Sequence, residues 1–107
     1  MADSIQWPGK SGAQYQYWIY PLGSTFNSSP GNYIYSKLTG AGWIPLYMGQ
    51  TNDLGVRLAN HEKDSEARRN GATHIHAHTS GNEAQRLAEE KDLILRWQPV
   101  CNDRHVA

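Results

Sequence analysis

"YIYSKLTGAGWIPLYMGQTNDLGVRLANH", residues 33–61, reads as strand, tight connection, strand, helix. "YIYSK" (33–37) is a short run of β-formers. "LTGAGW" (38–43) is a glycine-containing hairpin connection. "IPLYMG" (44–49) is the return strand, and Pro45 confines it to a strand start or a sheet edge. The pattern then changes. Thr51 or Asn52 can cap a helix, Asp53 suits its positive end, and Leu54 and Leu58 repeat at i,i+4.

Working outward, that helix is expected to run on to Asn70-Gly71, which can close it. "ATHIHAHTS" (72–80) alternates strictly and reads as a strand. Asn82 caps a second helix with Glu83 in its first turn; it ends near Trp97 because Pro99 cannot continue it. Upstream, "YQYWIY" (15–20) is a further strand, and residues 21–32 form a loop dense in Gly, Pro, Ser and Asn. Residues 1–14 read as a loose N-terminal arm, leaving 15–107 as a single domain. The expectation is a small α+β domain. A central, mostly antiparallel three-stranded sheet is flanked by helices, in the order β-β-α-β-α with an extra N-terminal strand.

Strand periodicity puts Ile34, Leu46, Met48, Ile75 and Ala77 on one side of the sheet as its core. Tyr33, Tyr35, Tyr47, His74, His76 and His78 fall on the other. In "LAEEKDLILRW" (87–97), Leu87, Ile94 and Trp97 share a helical face that Ala84 extends backwards. Glu90 sits within that stripe, and Glu89 is expected about 100° away, toward solvent. A buried carboxylate without a partner costs several kcal/mol, so Glu90 calls for a cation: a metal, Arg57 or Arg86.

The chain has 107 residues, enough for one modest core. No apolar run approaches the ~20 residues of a membrane span, and "MADSIQWPGK" lacks the apolar core of a secretory signal. Cys101 is the single cysteine, so no disulfide forms within the chain; a cytoplasmic location is the expectation. The formal charge of zero argues against strong nonspecific nucleic-acid binding but allows a local basic patch.

Arg57 and His61 stand at i,i+4. With Glu90 and the tyrosines of the hairpin they are the parts that phosphodiester cleavage needs. A carboxylate holds a hard divalent ion, a guanidinium meets charge developing at phosphorus, and a base takes a proton from water. A phenol serves if nearby cations lower its pKa from about 10.

The order of "YIYSK", "LYMGQTNDLGVRLANH" and "EKDLILRWQPVCN" resembles the GIY-YIG nuclease family over residues 31–102. The resemblance implies a metal-dependent endonuclease hydrolysing DNA, in repair, recombination or related processing. It matches Tyr35 and Tyr47 to the two motif tyrosines, and Arg57 to the catalytic arginine with His61 one turn later. Glu90 matches the ligand of one Mg²⁺ or Mn²⁺, and Asn102 a supporting asparagine. Tyr33 replaces the first motif's glycine, with Gly31 two residues earlier, and Met48 replaces an isoleucine. Only about 30 N-terminal residues lie outside the match, so structure-specific recognition by the domain itself, a homodimer or a partner protein is expected.

Blander readings stand beside these. Tyr35 and Tyr47 could be ordinary cross-strand neighbours. "HIHAH" could suggest zinc, but alternate histidines spread over ~13 Å along one strand and do not converge on one ion. His76 is the one of them expected to approach the phosphate or the tyrosines. Asn102 could simply hold a turn after Pro99. Arg68 and Arg69 suit a helix C-terminus without any ligand. Two rival functions are a noncatalytic nucleic-acid-binding module of the same fold and a protein-interaction module using the tyrosine-rich surface. Of the twin glutamates, Glu89 is expected to be dispensable.

Overall fold

The computed structural model describes residues 3–102. Its elements are β1 (Ser4–Pro8), β2 (Gln14–Pro21), β3 (Gly31–Thr39), β4 (Gly42–Thr51), α1 (Leu54–Ala59), α2 (Asp64–Arg69), β5 (His74–Thr79) and α3 (Glu83–Trp97). All strand pairings are antiparallel, and the sheet order is β1-β2-β5-β3-β4. The sheet therefore has five strands rather than the expected three. Part of the expected loose arm, Ser4–Pro8, is a strand paired along its length with Gln14–Trp18. Among the described residues no helix is long and apolar enough to cross a membrane.

Both faces of the sheet are buried. Leu54 of α1 and Ala67 of α2 pack with Tyr33, Tyr35, Leu46, Ile75 and Ala77. Leu93 of α3 packs with Trp7, Tyr17, Ile34 and Met48 on the other side. This overturns the expected division into an aliphatic face and a phenol–imidazole face. Tyr33 and Tyr35 share a face with Ile75 and Ala77, while His76 pairs with Ile34 on the face under α3. The register also shifts between Tyr35 and Ser36, where Tyr35 opposes Tyr47 and Ser36 opposes Pro45. Leu46 is the extra residue of this bulge, so period two fails across it. Pro45 is accommodated there because β4 is an edge strand.

Asp53, rather than Thr51 or Asn52, caps α1: its Oδ1 accepts from Val56 N at 3.0 Å. The expected single helix is two helices of six residues each. The break follows from local chemistry. Asn60 N–H bonds back to Arg57 O, and the Lys63 N–H is taken by His61 Nδ1 at 2.9 Å. A side chain that captures a backbone donor ends the helical ladder. The expected bounds of α3 hold. Asn82 Oδ1 accepts from Gln85 N, and Gln98 turns left-handed (φ 47) just before Pro99.

Candidate active site

Four side chains converge on the α1 face near the bulge. Tyr33 projects from β3, Tyr47 from β4, Arg57 from α1, and His61 from the α1–α2 connection. Tyr33 Oη lies 2.6 Å from His61 Nε2 and accepts from Arg57 Nε at 3.3 Å. The rings of Tyr33 and Tyr47 stack at 6.2 Å and 27°. His61 stands edge-on to Tyr47 at 4.9 Å. Gly49 makes the packing possible, because a Cβ there would come 2.6 Å from Tyr33 Oη.

The direction of the His61 bond follows from its other nitrogen. Nδ1 accepts the Lys63 backbone N–H, so a neutral ring carries its proton on Nε2 and donates it to Tyr33 Oη. Burial, helped by the neighbouring Arg57 charge, lowers the His61 pKa to about 4, so the ring is neutral at pH 7. The Tyr33 oxygen thus receives two N–H donors. Burial still raises its pKa above the ordinary phenol value against the pull of Arg57. Tyr47 is also raised, by burial and by the Glu90 carboxylate, with Arg57 opposing. Tyr33 is fully buried, whereas Tyr47, Arg57 and Glu90 are partly open. The Tyr33 hydrogen bond, against some loss to burial, keeps Arg57 firmly protonated. Arg57 Nη2 also reaches the exposed Glu62 at 2.9 Å.

Glu90 is half-buried on α3, close enough to Tyr47 to shift its titration. The helix is turned by about one residue from the expected orientation. Arg86, Glu89 and Leu93 are its buried residues, and Leu87 is 46% exposed. Glu89, expected in solvent, is buried. Its Oε2 accepts from Tyr17 Oη at 2.5 Å and meets His78 Nε2 at 2.7 Å. Counting apolar positions could not foresee that two polar partners would bury a carboxylate.

The other expected site residues divide. Tyr35 packs its ring 5.5 Å from His61 but turns its hydroxyl to Asp64 at 3.4 Å and shares no hydrogen bond with Arg57 among the described contacts. His76 does not approach the tyrosines. It lies on the α3 face, where Nδ1 accepts from Trp7 Nε1 at 3.0 Å. Asn102 makes two 2.9 Å bonds with the backbone of Met48, between Tyr47 and Gly49, and so braces β4 from outside the site. The sequence reading missed Tyr33 as the hub. The available signal was its place two residues after Gly31, mirrored by Tyr47 two residues before Gly49. It also missed Glu62.

No protein-family model matches the chain, and no curated protein matches it. Solved structures do. Three point mutants of the GIY-YIG N-terminal endonuclease domain of UvrC from Thermotoga maritima, each bound to its catalytic divalent cation, superpose with TM-scores of 0.61, 0.59 and 0.59. Their sequence identities are 25%, 26% and 27%, and each match covers 73% of this chain and 87% of the other. The matched three quarters of the chain therefore shares its architecture with a domain of known type. The chain carries the GIY-YIG domain fold.

Proposed function

We propose that this domain is a metal-dependent endonuclease that hydrolyses phosphodiester bonds in DNA, in repair, recombination or related processing, in the cytoplasm. The observation that carries the reading is the double donation to Tyr33 Oη from Arg57 and His61 beside the stacked Tyr47. Such an arrangement places a fixed guanidinium, a neutral imidazole and an accessible phenol around one small volume. The solved structures add that an endonuclease domain of this fold binds a catalytic divalent cation.

The donor set fits a hard ion. Among the described residues no three His, Cys, Asp or Glu side chains form a metal cluster, which argues against a closed zinc-type site. One half-buried carboxylate, Glu90, suits Mg²⁺ or Mn²⁺, which keep waters and share their coordination with substrate phosphate. When bound through Glu90, such an ion would supply positive charge to offset the charge developing on the phosphate.

The chain's own residues supply the rest. Tyr47, the more accessible phenol, orients the attacking water; its pKa is raised rather than lowered, so it stays protonated at neutral pH and serves as a hydrogen-bonding group rather than as the free base. Arg57 meets charge developing on the phosphate. Tyr33 holds Arg57 and His61 in register, and so takes the place assigned from sequence to Tyr35. His61, neutral, donates rather than accepts at Nε2. The zero formal charge gives little long-range attraction to phosphates, so binding rests on contacts at the cleft, where recognition of a DNA structure is the reading put forward.

A noncleaving nucleic-acid binder is favoured by one observation, the engagement of Arg57 by Glu62. Incubation of branched, nicked, flapped and plain duplex DNA with Mg²⁺ or Mn²⁺ separates the two. Wild type should cut at least one branched or flapped substrate, and Glu90→Ala should not. No metal-dependent product on any substrate, or an unchanged rate in the variant, overturns the nuclease reading. Preferential cutting of plain duplex overturns the structure-specific part alone.

A further inference from the structure

We infer that the β1–β2 hairpin is a brace that sets the direction of Glu90, with Tyr17 and Tyr15 as positioning residues for that carboxylate. The inference rests on the reading of Glu90 as the ion-holding group.

Three positions of α3 around Glu90 are tied to this one hairpin. Glu89 takes the Tyr17 hydroxyl at 2.5 Å. Asp92 takes Ser11 N at 2.8 Å, Ser11 Oγ at 2.6 Å and Tyr15 Oη at 2.8 Å, and its backbone oxygen takes Lys10 N at 3.1 Å. Trp97 Nε1 donates to Pro8 O at 2.9 Å. Apolar contacts between a helix and a sheet resist rotation weakly, because they are not directional. Hydrogen bonds to carboxylates one residue before and two residues after Glu90 are directional and resist it, the buried one at Glu89 most of all. A carboxylate roughly 6 Å from the helix axis moves about 1 Å for every 10° of helix rotation. Displacements of that size are enough to cost about 10²-fold in a positioned reaction. Glu89 and Asp92 thereby acquire a purpose as the points where the hairpin grips the helix, with His78 of β5 sharing Glu89 and with Arg86 held separately by Gln50 and Ser80.

The test uses the full chain. Tyr17→Phe removes one hydroxyl and leaves the net charge and ring volume in place. Mn²⁺ affinity is measured by calorimetry without DNA, thermal unfolding is followed in parallel, and cleavage is split into kcat and the Mn²⁺ concentration for half-maximal rate. Tyr20→Phe, on the same strand but facing Phe26, is the control. The brace predicts that Tyr17→Phe stays folded at the assay temperature and binds Mn²⁺ about 10-fold more weakly, the scale of effect seen for groups that orient a metal ligand. Tyr20→Phe should bind Mn²⁺ like wild type even if it melts earlier. If Tyr17→Phe does not fold, Tyr15→Phe, nearer the surface, is measured instead, with the same expected direction. Wild-type Mn²⁺ affinity in a folded Tyr17→Phe, with only a lower melting temperature, overturns the brace. Absence of Mn²⁺ binding in wild type, or unchanged binding in Glu90→Gln, instead overturns the reading of Glu90, and the brace falls with it.

Discussion

The backbone N–H of Lys63 sets the direction of the hydrogen bond between His61 and Tyr33. By occupying His61 Nδ1 it leaves Nε2 as the donor to the phenol oxygen. His61 therefore supports Tyr33 rather than drawing a proton from it. Tyr33→Phe removes the acceptor shared by His61 and Arg57 and is expected to lower kcat by about 10²-fold through misplacement of the guanidinium. Tyr35→Phe should stay within about threefold of wild type, since it keeps the buried ring and removes only a hydroxyl whose bond to the partly exposed Asp64 is long, at 3.4 Å. Steady-state cleavage assays on the two variants check this. A larger loss in Tyr35→Phe would restore the assignment made from sequence.

If Arg57 meets the substrate phosphate as proposed, Glu62 is its competitor. The pair is 2.9 Å long, but its carboxylate side chain is 71% exposed, so it is easily displaced. Glu62→Gln should tighten DNA binding by about two- to fivefold at low salt, since one repulsive charge near the phosphates is removed. The gain should vanish at high salt, where screening removes it. Titration of labelled DNA at two salt concentrations measures both.

Two histidines make the fold acid-sensitive. Burial lowers both His61 and His76 to a pKa of about 4. An unfolded histidine titrates near pH 6.5, so the unfolded chain binds protons first as pH falls. Stability from these groups is full above about pH 6.5 and is lost progressively down to about pH 4. His78 works in the opposite sense. Burial pulls it down, but the Glu89 carboxylate overcomes this and raises its pKa, so its contribution is full below about pH 6.5 and fades above. Urea unfolding at several pH values should show a net fall in stability on acidification, and His76→Gln should flatten it. A stability that rises as pH drops through this window would contradict the burial of the two rings.

Gln98 ends α3 in a left-handed conformation that glycine adopts more readily. Gln98→Gly should stabilise the fold by about 0.5–1 kcal/mol, read as a higher urea midpoint at unchanged slope. Loss of stability would mean that the side chain contributes more than its bond to Leu95 O indicates.

The parts of the fold that were legible in sequence were those fixed by local chemistry. The β3–β4 hairpin follows from its glycines, and α3 from the Asn82 cap and Pro99. The parts that were not legible depend on distant partners. Ser4–Pro8 shows only Ile5 and Trp7 as alternating apolar residues, too short a pattern to read, and becomes a strand by pairing with β2. The first helix breaks because His61 captures a neighbouring N–H. Glu89 lies inward because Tyr17, 72 positions away in sequence, donates to it. In the site, Tyr47, Arg57, His61 and Glu90 were named through the resemblance, and the structure brings Tyr47, Arg57 and His61 together around Tyr33. Tyr33 was passed over because it stood beside Tyr35 in the same strand, and only the facing of the two hydroxyls distinguishes them.

The pair of hydrogen bonds between Asn102 and the Met48 backbone has a consequence beyond the site. β4 is an outer strand, and an outer strand exposes a row of donors and acceptors on which another chain can grow a sheet. Asn102 fills the outward N–H and C=O of Met48, and Cys101 N fills the outward oxygen of Leu46. The turn after α3 thus acts as a plug along the middle of that edge. A chain carrying Asn102→Ala would offer a free strand margin to its neighbours, and its first symptom would be self-association at high concentration.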